Sequence, residues 1–194
     1  SDLSVNIIES SEEIASEFFV SSQVFEGERF TAVDVTNPVP DSIEWILPSS
    51  AQVVESNQDY VELYFETSGV YEVVMLTKVG DCEAFETKQV TVLKSEEGTE
   101  GGDTNSEREK SYESFLVFPN PTNGQFTVSV ALEERSAINL RVFNIANNNV
   151  VAQEKREGQT EYNVTFNISN MPSGMYVVVL ETAHGSAVRK LIKG

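Results

Sequence analysis

The clearest period along the chain lies in its last third, where Phe126, Val128 and Val130 alternate with Thr127 and Ser129, and Ile138, Leu140 and Val142 alternate with Asn139 and Arg141. A period of two sends neighbouring side chains to opposite faces, so these are strands with one face buried and one face wet. Further strands are predicted at 162–168 (YNVTFNI), 175–181 (MYVVVLE) and 187–192 (AVRKLI), the last two joined by the hairpin turn Ala183-His184-Gly185-Ser186, in which Gly185 supplies positive φ. Upstream, 29–35 (RFTAVDV), 43–47 (IEWIL), 60–65 (YVELYF), 70–76 (VYEVVML) and 87–93 (TKQVTVL) are short, β-branched and aromatic-rich, with Gly, Pro, Asn and Asp between them. That spacing predicts a sandwich, although Tyr60, Leu63 and Phe65 do not follow one alternation. The only helical signal is a single turn at 10–18 (SSEEIASEF), with Ser10 or Ser11 as its cap.

Between the two strand-rich regions, residues 95–114 (SEEGTEGGDTNSEREKSYES) carry seven acids, two bases and one large apolar residue, Tyr112. Such a segment cannot bury enough surface to offset chain entropy and is expected to be a flexible acidic linker. The chain thus divides into 1–94, the linker 95–114, and 115–194. Charge follows the same division: 18 acids and 4 bases in the first module, 6 and 7 in the second, within a net charge of −18. This balance repels phosphate backbones and anionic lipid, so nucleic acid is not an expected partner. No run approaches the roughly 18 to 20 apolar residues of a membrane helix. The single cysteine, Cys82, rules out an internal disulfide and is expected to be a small, partly buried side chain at a strand end. Because the chain starts at Ser1 with no initiating Met or signal stretch, it is expected to be a mature protein or a fragment of a longer one.

Candidate chemistry is sparse. The one histidine, His184, sits in a predicted turn, and Glu133-Glu134 are neighbours whose side chains diverge on a strand. No phosphate loop, dinucleotide glycine pattern or His-Glu metal motif occurs. Asp34, Asp41, Asp59 and Asp81 lack the spacing of a calcium loop and are expected on a solvated surface. Asn163-Val164-Thr165 and Asn167-Ile168-Ser169 match glycan acceptors but are read as the polar face of a strand. The chain is read as a non-enzyme with no cofactor and no metal.

Gly27-Glu28, Ile43-Glu44-Trp45, Gly69-Val70-Tyr71-Glu72-Val73 and Gln89-Val90-Thr91-Val92 give the first module a resemblance, over about 75 residues, to PKD-like immunoglobulin-type modules of bacterial surface proteins. Independently, Trp45 is expected to fill the inter-sheet core, and Tyr71 to pack at the sandwich corner. In the second module, Pro119 and Pro121 cannot donate to a ladder and blunt an edge, while Asn123-Gly124 turns the chain into the Phe126 strand. Phe118-Pro119-Asn120-Pro121 with Gly124, then Gly174-Met175-Tyr176, then Arg189-Lys190-Leu191-Ile192-Lys193, resemble the type A C-terminal sorting domain of the Bacteroidetes type IX secretion system. Asn147-Asn148-Asn149 replaces a glycine-containing turn, which asparagine tolerates because it too enters the left-handed region.

Together these readings give an all-β chain of two small immunoglobulin-like β-sandwiches. The resemblance implies a cargo exported across the outer membrane, recognised by a translocon and shuttle protein. It also implies a sortase that cuts before Phe118 in the linker and can attach the product to lipopolysaccharide. Three bases in the last six residues, on a terminal strand with a free edge, suit augmentation of a partner's sheet. The first module is then a spacer, or binds a glycan or surface protein; membrane insertion is not expected. The rivals are a two-domain adhesin and an accessory region of a larger secreted hydrolase.

Overall fold

The computed structural model describes residues 16–94 and 112–194, and every regular element among them is a strand. The first module contains β1 (Phe18–Phe19), β2 (Gln23–Phe25), β3 (Phe30–Asp34), β4 (Ser42–Ile46), β5 (Gln52–Ser56), β6 (Tyr60–Tyr64), β7 (Gly69–Val79) and β8 (Cys82–Leu93). The second contains β9 (Ser114–Phe118), β10 (Gln125–Asn144), β11 (Asn149–Asn167), β12 (Gly174–Thr182) and β13 (Gly185–Lys193). The expected linker and the helical turn at 10–18 lie mostly outside the described residues. Where they reach in, they differ from expectation. Phe18 is in a strand, and Tyr112 is buried edge-on against Phe115 at 6.3 Å, with Glu113 N–H donating to Ala131 O at 2.8 Å. Tyr112 and Glu113, expected in the linker, therefore belong to the second body, held there by burial of the aromatic ring.

The first module is a sandwich of two four-stranded sheets, β1-β3-β6-β5 and β2-β8-β7-β4, with β2 running parallel to β8. Val61, Leu63, Phe65, Val73, Met75 and Val90 fill the space between them. Trp45 packs against this core, its ring perpendicular to Phe18 at 5.4 Å. Tyr71 stacks on Phe65 at 3.9 Å and donates its hydroxyl to Thr67 O at 2.8 Å, pinning the corner as expected. Two expectations fail. Cys82 is exposed, because it flanks the turn of the β7–β8 hairpin, and Asp34 is buried rather than solvated.

In the second module β10 runs unbroken through Glu133-Glu134, where the sequence pattern suggested two strands. Register shifts between Ala131 and Ser136 and again before Ile138 bend it. Before the bend β10 pairs with β9 and the end of β11; beyond it, β10 pairs with the start of β11 and with β12, which carries β13. One hydrogen-bonded sheet thus folds over itself. Phe126, Val128 and Val130 meet Leu140, Val142, Val178 and Leu180 across the fold, with Tyr176 and Leu191 closing the core. Asn163, Thr165 and Asn167 lie on the exposed face of β11, and Asn148 occupies the left-handed region at φ 55°, as the sequence reading requires.

The face expected to be wet is not wet everywhere. β3 and the middle of β12 (Tyr176 to Leu180) are buried on both sides, which alternation in a two-sided sheet does not allow unless something covers the outer face. The two modules cover one another. Phe19, Val33, Val35 and Tyr60 of the first form a single apolar cluster with Phe143, Ile145, Val177, Val179 and Val188 of the second. Arg141 extends this seam, its guanidinium 4.5 Å from the Phe19 ring centre and forked onto Glu181 at 2.8 and 2.9 Å.

Candidate functional site

The residues singled out from the sequence converge at the end of the second module, around the outer edge of β13. Pro119 and Pro121 are exposed, and the Phe118–Pro119 and Asn120–Pro121 peptide bonds are cis. Between the prolines, Asn120 turns its amide onto β13: its Nδ2 donates to Lys190 O at 2.8 Å, and its Oδ1 accepts from Ile192 N–H at 2.9 Å. One side chain thereby offers the donor and acceptor that a neighbouring strand residue would offer. Thr122 continues the clasp, its N–H donating to Ile192 O at 2.8 Å and its carbonyl accepting from Gly194 N–H at 2.9 Å. Its hydroxyl donates to Gln125 O at 2.6 Å and accepts from Gly124 N–H at 3.0 Å, which closes the turn.

Gly124 permits this turn for two separate reasons. Its φ of +120° is unfavourable for a side chain, and a Cβ there would lie 2.5 Å from Ser169 Cα. The carbonyl of Gly124 in turn accepts from Ile168 N–H at 2.8 Å. On the other side of β13, Gly174 takes φ +151° and leads into Tyr176, fully buried, whose hydroxyl donates to Pro172 O at 2.7 Å. Burial raises the Tyr176 phenol above its ordinary value, with Asn144 working the other way. The Gly-x-Tyr corner of the first module and that of the second use one device, a phenol bonded to the carbonyl four residues back.

The basic tail is placed differently from the sequence expectation. Leu191 is fully buried and Lys193 nearly so, while Ile192 is 40% exposed. Arg189 lies over the Phe115 ring at 5.4 Å, with Glu28 at 3.9 Å. Lys190 pairs with Glu62, has Glu55 at 3.9 Å, and sits 4.9 Å from the Tyr60 ring centre. Burial, followed by a hydrogen bond to Glu55, pushes the Tyr60 phenol up to about 12. Two of the tail's three charges, Arg189 and Lys190, are therefore met by acids of the first module, while Lys193 Nζ donates to Gly194 O at 3.3 Å.

The edge expected to be free is also occupied. Beyond the reach of Asn120, Ser186 N–H donates to Ser22 Oγ at 3.0 Å, Ser22 N–H donates to Ser186 O at 2.8 Å, and Val188 N–H donates to Ser21 Oγ at 3.1 Å. Serine hydroxyls reach a sheet edge where a regular strand would be too wide. Exposed apolar side chains remain at Leu116, Phe118 and Ile192.

Behind the clasp, Asn148 donates to Asp34 Oδ2 and to Thr36 O at 3.0 Å, bridging the modules through two buried polar side chains. The sequence reading missed Ser21, Ser22 and this pair. The seam left two marks in the sequence, the charge contrast between modules and the unalternating Val177-Val178-Val179 run. Burial raises the Asp34 carboxyl above the ordinary aspartate value; hydrogen bonds from Thr36 and Asn148 work against this, and nearby Asp59 adds to it. A raised acid binds its proton more tightly folded than unfolded. Its stabilising contribution is complete below the unfolded value and is lost as pH rises through the folded one. Denaturant midpoints measured across that interval should fall with rising pH, and Asp34→Asn should flatten the slope; an unaltered slope would show that Asp34 does not titrate there.

Solved structures that match the chain along most of its length superpose on it only loosely. It is 15% identical to the D00-D0 domain of Intimin, covering 91% of this chain and 96% of that one at a TM-score of 0.31. It is 8% identical to adhesin InvE of Yersinia pseudotuberculosis, covering 92% of this chain and 58% of that one at 0.32. It is 15% identical to the titin Ig tandem A164-A165, covering 93% and 96% at 0.27. Scores this low say nothing about what the chain does. No curated protein matches it. Residues 116–194, from the middle of β9 to the last residue of the clasp, match the family model described as the secretion system C-terminal sorting domain. The second module is therefore a secretion system C-terminal sorting domain, the type IX signal that directs a chain across the outer membrane to the surface or the medium.

Proposed function

We propose that this chain is the C-terminal portion of a type IX cargo, in which the last module is read by the translocon and a shuttle protein and the first module is a spacer without catalytic function. The observation that carries this reading is the clasp: the residues of the family resemblance come from opposite ends of the module and meet around one strand. For the first module, the spacer role is supported by its closed sandwich core and by its packing against the sorting module. A sortase cut, with transfer to lipopolysaccharide, belongs upstream of Tyr112. β9 is paired along its length with β10 and Phe115 is in the core, so a cut immediately before Phe118 would remove a structural strand.

The test is delivery in a bacterium that has the type IX machinery. The full chain behind a periplasmic signal should appear outside the cell, and the same chain lacking 116–194 should stay in the periplasm. Equal delivery of both would overturn the proposal.

A further inference from the structure

The edge and outer face of the last strands are closed from two directions, and the two closures differ in kind. Asn120 and Thr122 close one end from within the sorting module. Ser21 and Ser22 close the other from outside it, backed by the apolar seam of Val33, Val35 and Tyr60 and by Glu62 facing Lys190. These outside groups stand on β3 or directly after it, on β6, or on the short segment between β1 and β2, whose positions are set by the first module's own core.

We propose that the immunoglobulin-type module is an obligatory partner in cis for the sorting module, so that the β13 edge is closed only while its upstream neighbour is folded and the signal reports that folded state. Unfolding of the first module withdraws Ser21 and Ser22 together. Val177, Val179 and Val188 then lose their cover, and the backbone at Ser186 and Val188 loses its partners. An edge in that condition, flat and beside an apolar face, is a site for strand addition by any extended chain. The device thus separates a well-folded cargo tail, with a closed edge, from a misfolded one.

Residue-resolved amide hydrogen exchange on the full chain tests this. Val73→Asp places a charge in the first module's core, in the sheet that does not face the seam. Val33→Glu opens the seam from the first module's side. In each variant the Ser186 and Val188 amides should exchange at least about tenfold faster than in the parent chain, since local protection follows the free energy of the opening that exposes the group. Parental rates at both amides in Val33→Glu would overturn the proposal. So would parental rates in Val73→Asp when Met75 and Val90 have lost their own protection. If Val73→Asp remains folded, Val33→Glu decides alone.

Discussion

Gly124→Ala is expected to destabilise the sorting module by roughly 4 kcal/mol or more, enough to leave it largely unfolded. The reason is not φ alone. Gly158 also has positive φ, at +78°, but a Cβ there meets nothing within 4 Å, whereas at Gly124 it would press on Ser169 Cα, Oγ and N between 2.5 and 2.8 Å. Two of those atoms are backbone and cannot swing aside. They belong to the segment just after β11 whose Ile168 N–H is bonded to Gly124 itself. Gly158→Ala should therefore cost only about 1 to 2 kcal/mol, the ordinary penalty for a side chain in left-handed backbone. Guanidinium midpoints followed by circular dichroism compare the two, and equal shifts would show that the close approach at Ser169 is unimportant.

Leu191→Ala should cost about 2 to 5 kcal/mol, because it empties a fully buried position between the folded halves of the second sheet. Its neighbour Ile192 is 40% exposed, and Ile192→Ala should cost less than about 1 kcal/mol. The contrast matters for secretion experiments. Removing Lys190 through Gly194 deletes Leu191 along with the tail, so lost delivery would reflect lost folding as readily as lost recognition. Ile192→Ala and Asn120→Ala leave the core in place and are the variants that separate the two. If Leu191→Ala and Ile192→Ala shift the denaturation midpoint equally, the tail is not the core strand described here.

Strands were legible wherever alternation was intact, as at Phe126 to Val130 and Ile138 to Val142. The all-β class followed from them. Their continuity was not legible, because Glu133, Glu134 and Arg135 interrupt the period where β10 bends, and a bend carries no need for apolar residues. The short β1, β2 and β5 were missed for a related reason: two to five residues are too few for a period to show. At the candidate site, turn residues such as Pro119, Pro121 and Gly124 declared themselves through backbone chemistry that sequence fixes locally. The clasp between Asn120 and β13 spans seventy positions and leaves no local mark. The seam was visible only in residue, as an acidic first module facing a slightly basic second one and as the Val177-Val178-Val179 run, which has no polar alternation to offer a wet face.

The seam also changes what a break in the chain between Lys94 and Tyr112 accomplishes. With covalent continuity gone, Phe19, Val33 and Tyr60 still hold Phe143, Val177 and Val188, and Asn148 still holds Asp34. The two pieces persist as a heterodimer whose tether, and with it a high effective concentration, has been removed. Parting then becomes a matter of dilution and residence time, set by the off-rate of this contact rather than by the break itself.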